Sequence, residues 1–479
     1  MLPDDVLLEI FDFHEDKRNM DRDIDPILTR RIEEWITLAH VCRRWRRVVF
    51  QSPRRLNLRL FCTPSTPARD SLDIWPHLPL IIFDIENIFN AGPSKVDNLI
   101  AALEHNDRVS QILLYCCTTS QFECATNSAM QKPFPELTRL QFSMIGDGPI
   151  LPDSFLGRTV PRLRFLDFSH VPFPGLPKLL LSATHLVDLS LSDIPPSGYI
   201  PPEAMATTLS ALTSLKSLRL RFRYPRPRPA LESRRPPPPP LTRSILPSLT
   251  KFVFKGASEY LEEILARVDA PRLNKMRITF FNQIIFDTPR LFQFISQSPT
   301  LRAPERGCIA FCYEGIRFIS QTSDCGVLTV EISSFSRTAS EWQISSLEQV
   351  CTSSLPFVST LEELYIFENR KRSPRWQDYV ENPLWLELLH PFAAVKNLYL
   401  CKEFGPHIAP ALQELVGERA TEVFPTLENI FLEGFQPSGP LHEGIEKFVT
   451  ARRITSRPIA VSGWDSDSKR ERQLDVVYL

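Results

Sequence analysis

The chain has 479 residues, of which 43% are hydrophobic and 32 are Phe, enough for a sizeable core and too many for wholesale disorder. Its 55 Lys+Arg against 56 Asp+Glu leave a net charge of −1, which excludes the basic footprint of a general nucleic-acid binder. There are only 16 Gly but 43 Pro, where ordinary usage for this length gives roughly 34 and roughly 24. So few glycines argue against a phosphate-cradling nucleotide enzyme, and so many prolines require frequent interruption.

The opening LPDDVLLEIFDF predicts a helix. Pro3 suits a helix start, Asp4 and Asp5 suit the first turn, and Val6, Leu7, Ile10 and Phe11 fall on one stripe. This acidic start is unlike a signal peptide, and no run of 18 apolar residues occurs, so the expected location is cytosol or nucleus. The charged stretch from about His14 to Arg31 is expected to loop out. Beyond it, Leu38, Val41, Cys42 and Trp45 form a second stripe, with Arg43, Arg44, Arg46 and Arg47 facing elsewhere. Three short helices of this kind cannot bury all their own apolar surface, so some of it is reserved for a partner.

These residues also carry a resemblance. L-P-x-[DE]-V-L-x-x-I-F, followed by L-x-x-V-C-[KR]-x-W-R and by Ser52-Pro53, resembles an F-box. The resemblance implies a helical module over residues 1–53 that docks on the Skp-type adaptor of a cullin–RING ubiquitin ligase. By that resemblance Leu2, Pro3, Val6, Leu7, Ile10, Phe11 and Leu38 contact the adaptor, and Val41, Cys42 and Trp45 serve core and interface together. The insert is longer than usual for the family. Placing this motif before Leu-rich repeats is similar to the large F-box families of mushroom-forming fungi. The competing reading is a helical cap on a repeat domain.

From about residue 54 to 462 a repeat dominates. FPELTRLQF (Phe134 to Phe142) recurs from Val160, Ala183, Leu212, Leu246, Ala270, Val358, Phe392 and Phe424 as L-x-x-L-x-L with an apolar lead-in. Weaker copies are Leu78-x-x-Ile81-x-Phe83, Val109-x-x-Ile112-x-Leu114 and Val327-x-x-Val330-x-Ile332. Alternation at the fourth and sixth positions predicts a short strand with one buried face. Segments between copies, such as Ser258 to Val268, have helical spacing. One strand and one helix cannot bury their own apolar face, but stacked copies share a core.

The pattern resembles an irregular leucine-rich-repeat solenoid. The expected fold class is therefore α/β, with a short N-terminal three-helix F-box, then parallel strands on a concave side and helices and loops on a convex one. An ordinary α/β domain with Leu-rich strands is the alternative. The Asn expected at the ninth position is replaced by Ile145, Val171, Ile194, Arg223, Ala257 and Phe281, and only Asn369 conforms. The Pro-rich run over 224–243 reads as a polyproline II loop, and 463–479 as a flexible tail.

Alternate positions of each strand point away from the core and mark a candidate substrate surface. Middle copies place Arg219, Arg221, Lys251, Lys255, Lys275 and Arg277 there; late copies place Glu363, Tyr365, Phe367, Tyr399, Phe431 and Glu433. An acidic segment on the cations, anchored by the aromatics, is the expectation for a protein substrate. No nucleotide-binding, nucleophile-elbow or zinc-protease motif occurs, the nine His are dispersed, and the Cys lack C-x2-C spacing. No catalytic residue, metal or cofactor is expected, and neither nucleic acid nor membrane is an expected partner.

Overall fold

A hydrogen-bonded turn opens each of the nine repeat copies, and in five of them its second residue is a proline. In the computed structural model the Leu137 N–H donates to the Phe134 carbonyl at 3.2 Å. The same bond closes from Leu163 to Val160, Leu186 to Ala183, Leu215 to Leu212, Leu249 to Leu246, Leu273 to Ala270, Leu361 to Val358, Val395 to Phe392 and Leu427 to Phe424. Pro135, Pro161, Pro247, Pro271 and Pro425 each take the second place of such a turn, where a fixed φ helps and no N–H is needed.

The structure describes residues 2–19, 34–52, 58–72, 77–84, 93–117, 119–223, 243–281, 286–312, 315–322, 326–333, 340–355, 357–368, 380–402, 404–434 and 440–464. Pro53, Asn369, the run 224–242 and the terminal 465–479 lie outside them. The chain forms two compact units, Met1–Ala204 with Ala211–Leu215, and Met205–Ser210 with Lys216–Leu479.

The first unit starts with α1 (Asp4–Asn19), α2 (Glu34–Val41) and α3 (Arg43–Gln51). Residues 14–19, expected in the looped insert, instead continue α1; residues 20–33 lie outside the described set. Six strands follow: β1 (Leu60–Cys62), β2 (Leu80–Asp84), β3 (Val109–Cys117), β4 (Arg139–Met144), β5 (Phe165–Ser169) and β6 (Asp188–Ile194). Each pairs parallel with the next, giving one sheet in chain order.

Leu140, Leu166 and Leu189 form one buried row, and Phe142, Phe168 and Leu191 the next. Phe142 stacks on Phe168 at 5.3 Å and meets Phe122, from the helix Thr119–Ser128, edge-on at 5.0 Å. Burying each such side chain is worth roughly 1.5–3 kcal/mol.

One weak copy is corrected by a single residue. Ile82 pairs with Ile112, and Ile112 with Leu140, so Ile82 and not Ile81 belongs to the core row. Ile81 and Phe83 project from the other face, where they cluster with Leu113 against Phe61 and Tyr115. The run LPLIIFD is apolar on both faces, so its alternation cannot fix a register that flips with one residue of slip.

The second unit contains β7 (Ser217–Phe222), β8 (Ser244–Ile245), β9 (Lys251–Gly256), β10 (Val268–Asp269), β11 (Lys275–Phe281), β12 (Arg306–Cys312), β13 (Gly315–Gln321), β14 (Val327–Ser333), β15 (Glu363–Glu368), β16 (Asn397–Leu400), β17 (Asn429–Glu433) and β18 (Ala460–Trp464). β8 and β10 form a separate two-residue parallel pair. The others are ordered β7-β9-β11-β14-β13-β12-β15-β16-β17-β18.

The expectation of parallel strands therefore fails at β13, which is antiparallel to both neighbours. The cause is an insertion within one repeat. The opening turn closes normally from Leu301 to Ser298 at 3.1 Å, but the strand beside β11 is β14, with residues 302–326 interposed. The join is tight: the Gly326 N–H donates to Thr322 Oγ1 at 2.9 Å, and a Cβ on Gly326 would lie 1.9 Å from the Thr300 carbonyl oxygen. Only glycine fits there.

Core rows persist across the excursion, with Phe254, Ile278, Val330 and Phe318 buried in register. Helices pack on this side, as where Tyr260 of Ser258–Leu265 stacks on Phe254 at 6.0 Å. Of the ninth positions, Val171, Ile194 and Phe281 are buried, so at these three apolar packing stands where an Asn ladder would, whereas Ile145 is exposed. Gly463 and Trp464, expected in the tail, end β18 instead.

Candidate functional site

Two surfaces carry the residues singled out above, one in each unit. In the helical module the first stripe splits between two faces. Leu7, Leu8 and Phe11 are buried, and the Phe11 ring meets Trp45 edge-on at 4.9 Å. Val48 and Val49 of α3 are buried as well. Leu2, Val6, Ile10 and Val41 stay 51%, 39%, 46% and 57% exposed, with Pro3 and Cys42 exposed and Leu38 and Trp45 half-buried. Adaptor contact expected of Leu7 and Phe11 thus falls on residues that serve the module's own core. Positions i, i+1 and i+4 face α3, which leaves Val6 and Ile10 outward.

Arg44 holds this arrangement. Its Nη2 and Nε donate to Asp4 Oδ1 at 2.6 and 3.0 Å, and Nη2 also donates to the Leu2 carbonyl. Arg46 Nε donates to the Ala39 carbonyl at 3.0 Å, joining α3 to α2. Cys42 caps α3, its Sγ accepting from the Trp45 N–H at 3.4 Å.

In the second unit the register sets the outward side chains in rows. Lys251 and Lys275 are partners in the first row, behind Ser217. The second runs Arg219, Val253, Arg277, Thr329, Ile319; the third runs Arg221, Lys255, Thr279, Glu331, Arg317. All six cations expected from the sequence therefore share one face of three adjacent strands. The excursion adds Arg317, which pairs with Glu331 through Nη2 and Nε at 2.9 and 3.1 Å. Burial pushes the Arg277 guanidinium below its usual pKa, helped by the positive charge of Arg317, Arg219 and Arg221 and opposed by Glu331. Lys255 Nζ lies 5.8 Å from the Phe281 ring centre. Among the described residues no carboxylate pairs with Arg219, Arg221 or Lys275.

The late aromatics form a self-packed row. Tyr365 stacks on Tyr399 at 4.2 Å, and Tyr399 on Phe431 at 4.5 Å. Trp464 crosses from β18 to meet Tyr365 and Tyr399 edge-on at 6.1 and 5.5 Å, its Nε1 donating to the Leu400 carbonyl. Tyr365, Phe367 and Tyr399 are only 3%, 6% and 6% exposed, while Phe431 is half-buried. The rings expected to anchor a substrate are thus largely covered by one another. Burial pushes the Tyr365 phenol well above its usual pKa, and Glu363, which accepts its hydroxyl at 3.0 Å, adds to the effect. Glu363 also meets Arg306 at 3.1 Å, and Glu433 accepts from the Lys402 N–H at 3.2 Å.

Sequence reasoning missed Arg317, Glu331 and Trp464. The alternation in GIRFISQ could have flagged Arg317; its place beside the cations depends on β13 doubling back. Trp464 follows an apolar pair, Ala460-Val461, too short to declare a strand.

No protein-family model matches the chain, and no curated protein matches it. Among solved structures, a leucine-rich-repeat-containing protein of Legionella pneumophila is 12% identical, covering 82% of this chain and 97% of its own, with a TM-score of 0.24. A leucine-rich-repeat protein of Leptospira interrogans is 10% identical, covering 90% and 98%, with a TM-score of 0.29. The leucine-rich-repeat-like character of this chain rests on its own turns, registers and buried rows. Among the described residues no helix is long and apolar enough to cross a membrane.

Proposed function

We propose that this chain is a protein-interaction receptor of F-box type, similar to those of fungi. In this reading the helical module docks on a Skp-type adaptor of a cullin–RING ubiquitin ligase, and the repeats hold a target protein. The observation that supports it most is the exposure of the apolar residues Leu2, Val6, Ile10 and Val41 on a module that buries Leu7 and Phe11 and half-buries Leu38 and Trp45. Several large apolar side chains left exposed on one small helical module favour a partner. Leu2, Pro3, Val6, Ile10, Val41 and Cys42 are the adaptor-facing residues.

The receptor performs no bond chemistry in this reading. It raises the effective concentration of a target lysine near a ubiquitin-charged enzyme carried by the same complex. Its place of work is then the cytosol or nucleus, and no cofactor is needed. The reading is tested by co-expressing the full chain with a Skp-type adaptor. Stable co-purification that is lost in Ile10→Asp, with melting unchanged, supports it. An intact chain that never captures the adaptor overturns it and leaves a repeat scaffold capped by its N-terminal helices.

A further inference from the structure

The cationic face of the second unit is more than a sequence tally. Seven cations stand on four strands of one sheet, with Glu331 the single acid among the three rows, and Glu331 is engaged by Arg317. Strand spacing of about 4.8 Å and a two-residue rise of about 6.6 Å spread these rows over about 19 by 13 Å. That span is too wide for one phosphate or carboxylate, so several linked anions are needed to engage it. Like charges held this close repel one another in the free protein, and a polyanion relieves that repulsion.

We infer that the face formed by β7, β9, β11, β14 and β13 binds an extended acidic peptide segment of a partner protein, whose Asp and Glu carboxylates sit on the Arg219, Arg221, Lys275 and Arg277 side chains. A peptide is favoured over single-stranded nucleic acid by the residues between the cations. Val253, Thr329 and Ile319 offer no ring on which bases would stack, and Phe281 is fully buried beneath Lys255. The guanidinium groups suit forked pairing with carboxylates. This inference rests on the receptor reading for its biological setting, but its binding chemistry stands without the adaptor.

The test is fluorescence anisotropy of the full chain with a labelled twelve-residue peptide alternating Glu and Thr. Expected is saturable binding that weakens with added salt, fails for the Gln–Thr peptide, and weakens at least tenfold in Lys275→Glu and in Arg219→Glu with Arg221→Glu. Lys275 is exposed, so its variant keeps the fold, which a thermal melt checks. Arg302→Glu, an equal charge change off this face, leaves binding within twofold. The inference is overturned if the Glu–Thr peptide does not bind, if Arg302→Glu weakens it as much, or if oligouridylate or phosphatidylserine vesicles bind through these residues while the peptide does not. Adaptor capture is measured on the same preparations. Its loss with peptide binding intact defeats only the ligase reading, and the reverse result defeats only this one.

Discussion

Arg44 and Asp4, forty positions apart in sequence, are joined by two donors on one carboxylate oxygen, Nη2 at 2.6 Å and Nε at 3.0 Å. The same guanidinium reaches the Leu2 carbonyl, so one side chain orders the exposed Leu-Pro start against α3.

Both partners are partly exposed, at 28% and 47% of their side chains, so the pair itself adds little stability, about 1 kcal/mol or less. Arg44→Ala is therefore expected to melt within a few degrees of the parent. Hydrogen exchange of the amides that follow Pro3 rises, and adaptor capture weakens. Unchanged exchange at these amides would show that Arg44 does not order the segment.

Phe11 behaves differently from its neighbour Ile10. It is fully buried and packed on Trp45, so Phe11→Ala costs about 3–5 kcal/mol. Exchange protection across α1 and α3 collapses in this variant. Ile10→Asp keeps that protection and loses only the partner. If the two variants lose protection equally, the division of the stripe into inner and outer faces is wrong.

Gly326→Ala tests the join of the inserted hairpin. The added methyl would sit 1.9 Å from the Thr300 oxygen, so the start of β14 must shift and its bond to Thr322 weakens. A loss of about 1–3 kcal/mol is expected in urea unfolding. A midpoint equal to the parent's would mean that the two segments are not in contact.

Tyr365, Tyr399 and Tyr115 are all pushed above the usual phenol pKa, chiefly by burial. An unfolded chain ionises its tyrosines near pH ~10. The folded chain keeps these three neutral, so their contribution is complete below that pH and is lost as pH rises above it. Absorbance titration of the intact chain should show a late-ionising class, released at once by denaturant. Trp464→Ala uncovers Tyr365 and Tyr399 and moves part of that class to lower pH. A single wave near pH ~10 in the native protein contradicts the buried stack.

The repeat strands were legible because nine copies put Leu-like residues at positions 1, 4 and 6, and one lead-in turn sets the phase each time. Leu137, Leu140 and Phe142 are all buried, as are Leu427, Ile430 and Leu432 nearly 300 residues later. Where both faces are apolar, as in Leu80–Asp84, periodicity lost its grip and the register came out one residue off. β13 escaped notice because direction leaves no trace in alternation. At the candidate surface, the cations were readable from strand parity. The mutual burial of Tyr365 and Tyr399 was not, since covering rings come from neighbouring strands and from Trp464.

The hairpin lodged between the Ser298–Leu301 turn and β14 bears on how such a chain can change by recombination. Repeats that touch only their own kind can be copied or dropped whole. Here β12 is made first, β14 later claims the place beside β11, and β15 then adds to β12. A crossover anywhere between Ser298 and β15 leaves a strand without its neighbour. Only exchange of the whole stretch as one block keeps every strand paired, and its first two strands alone would make a two-stranded ribbon of marginal stability.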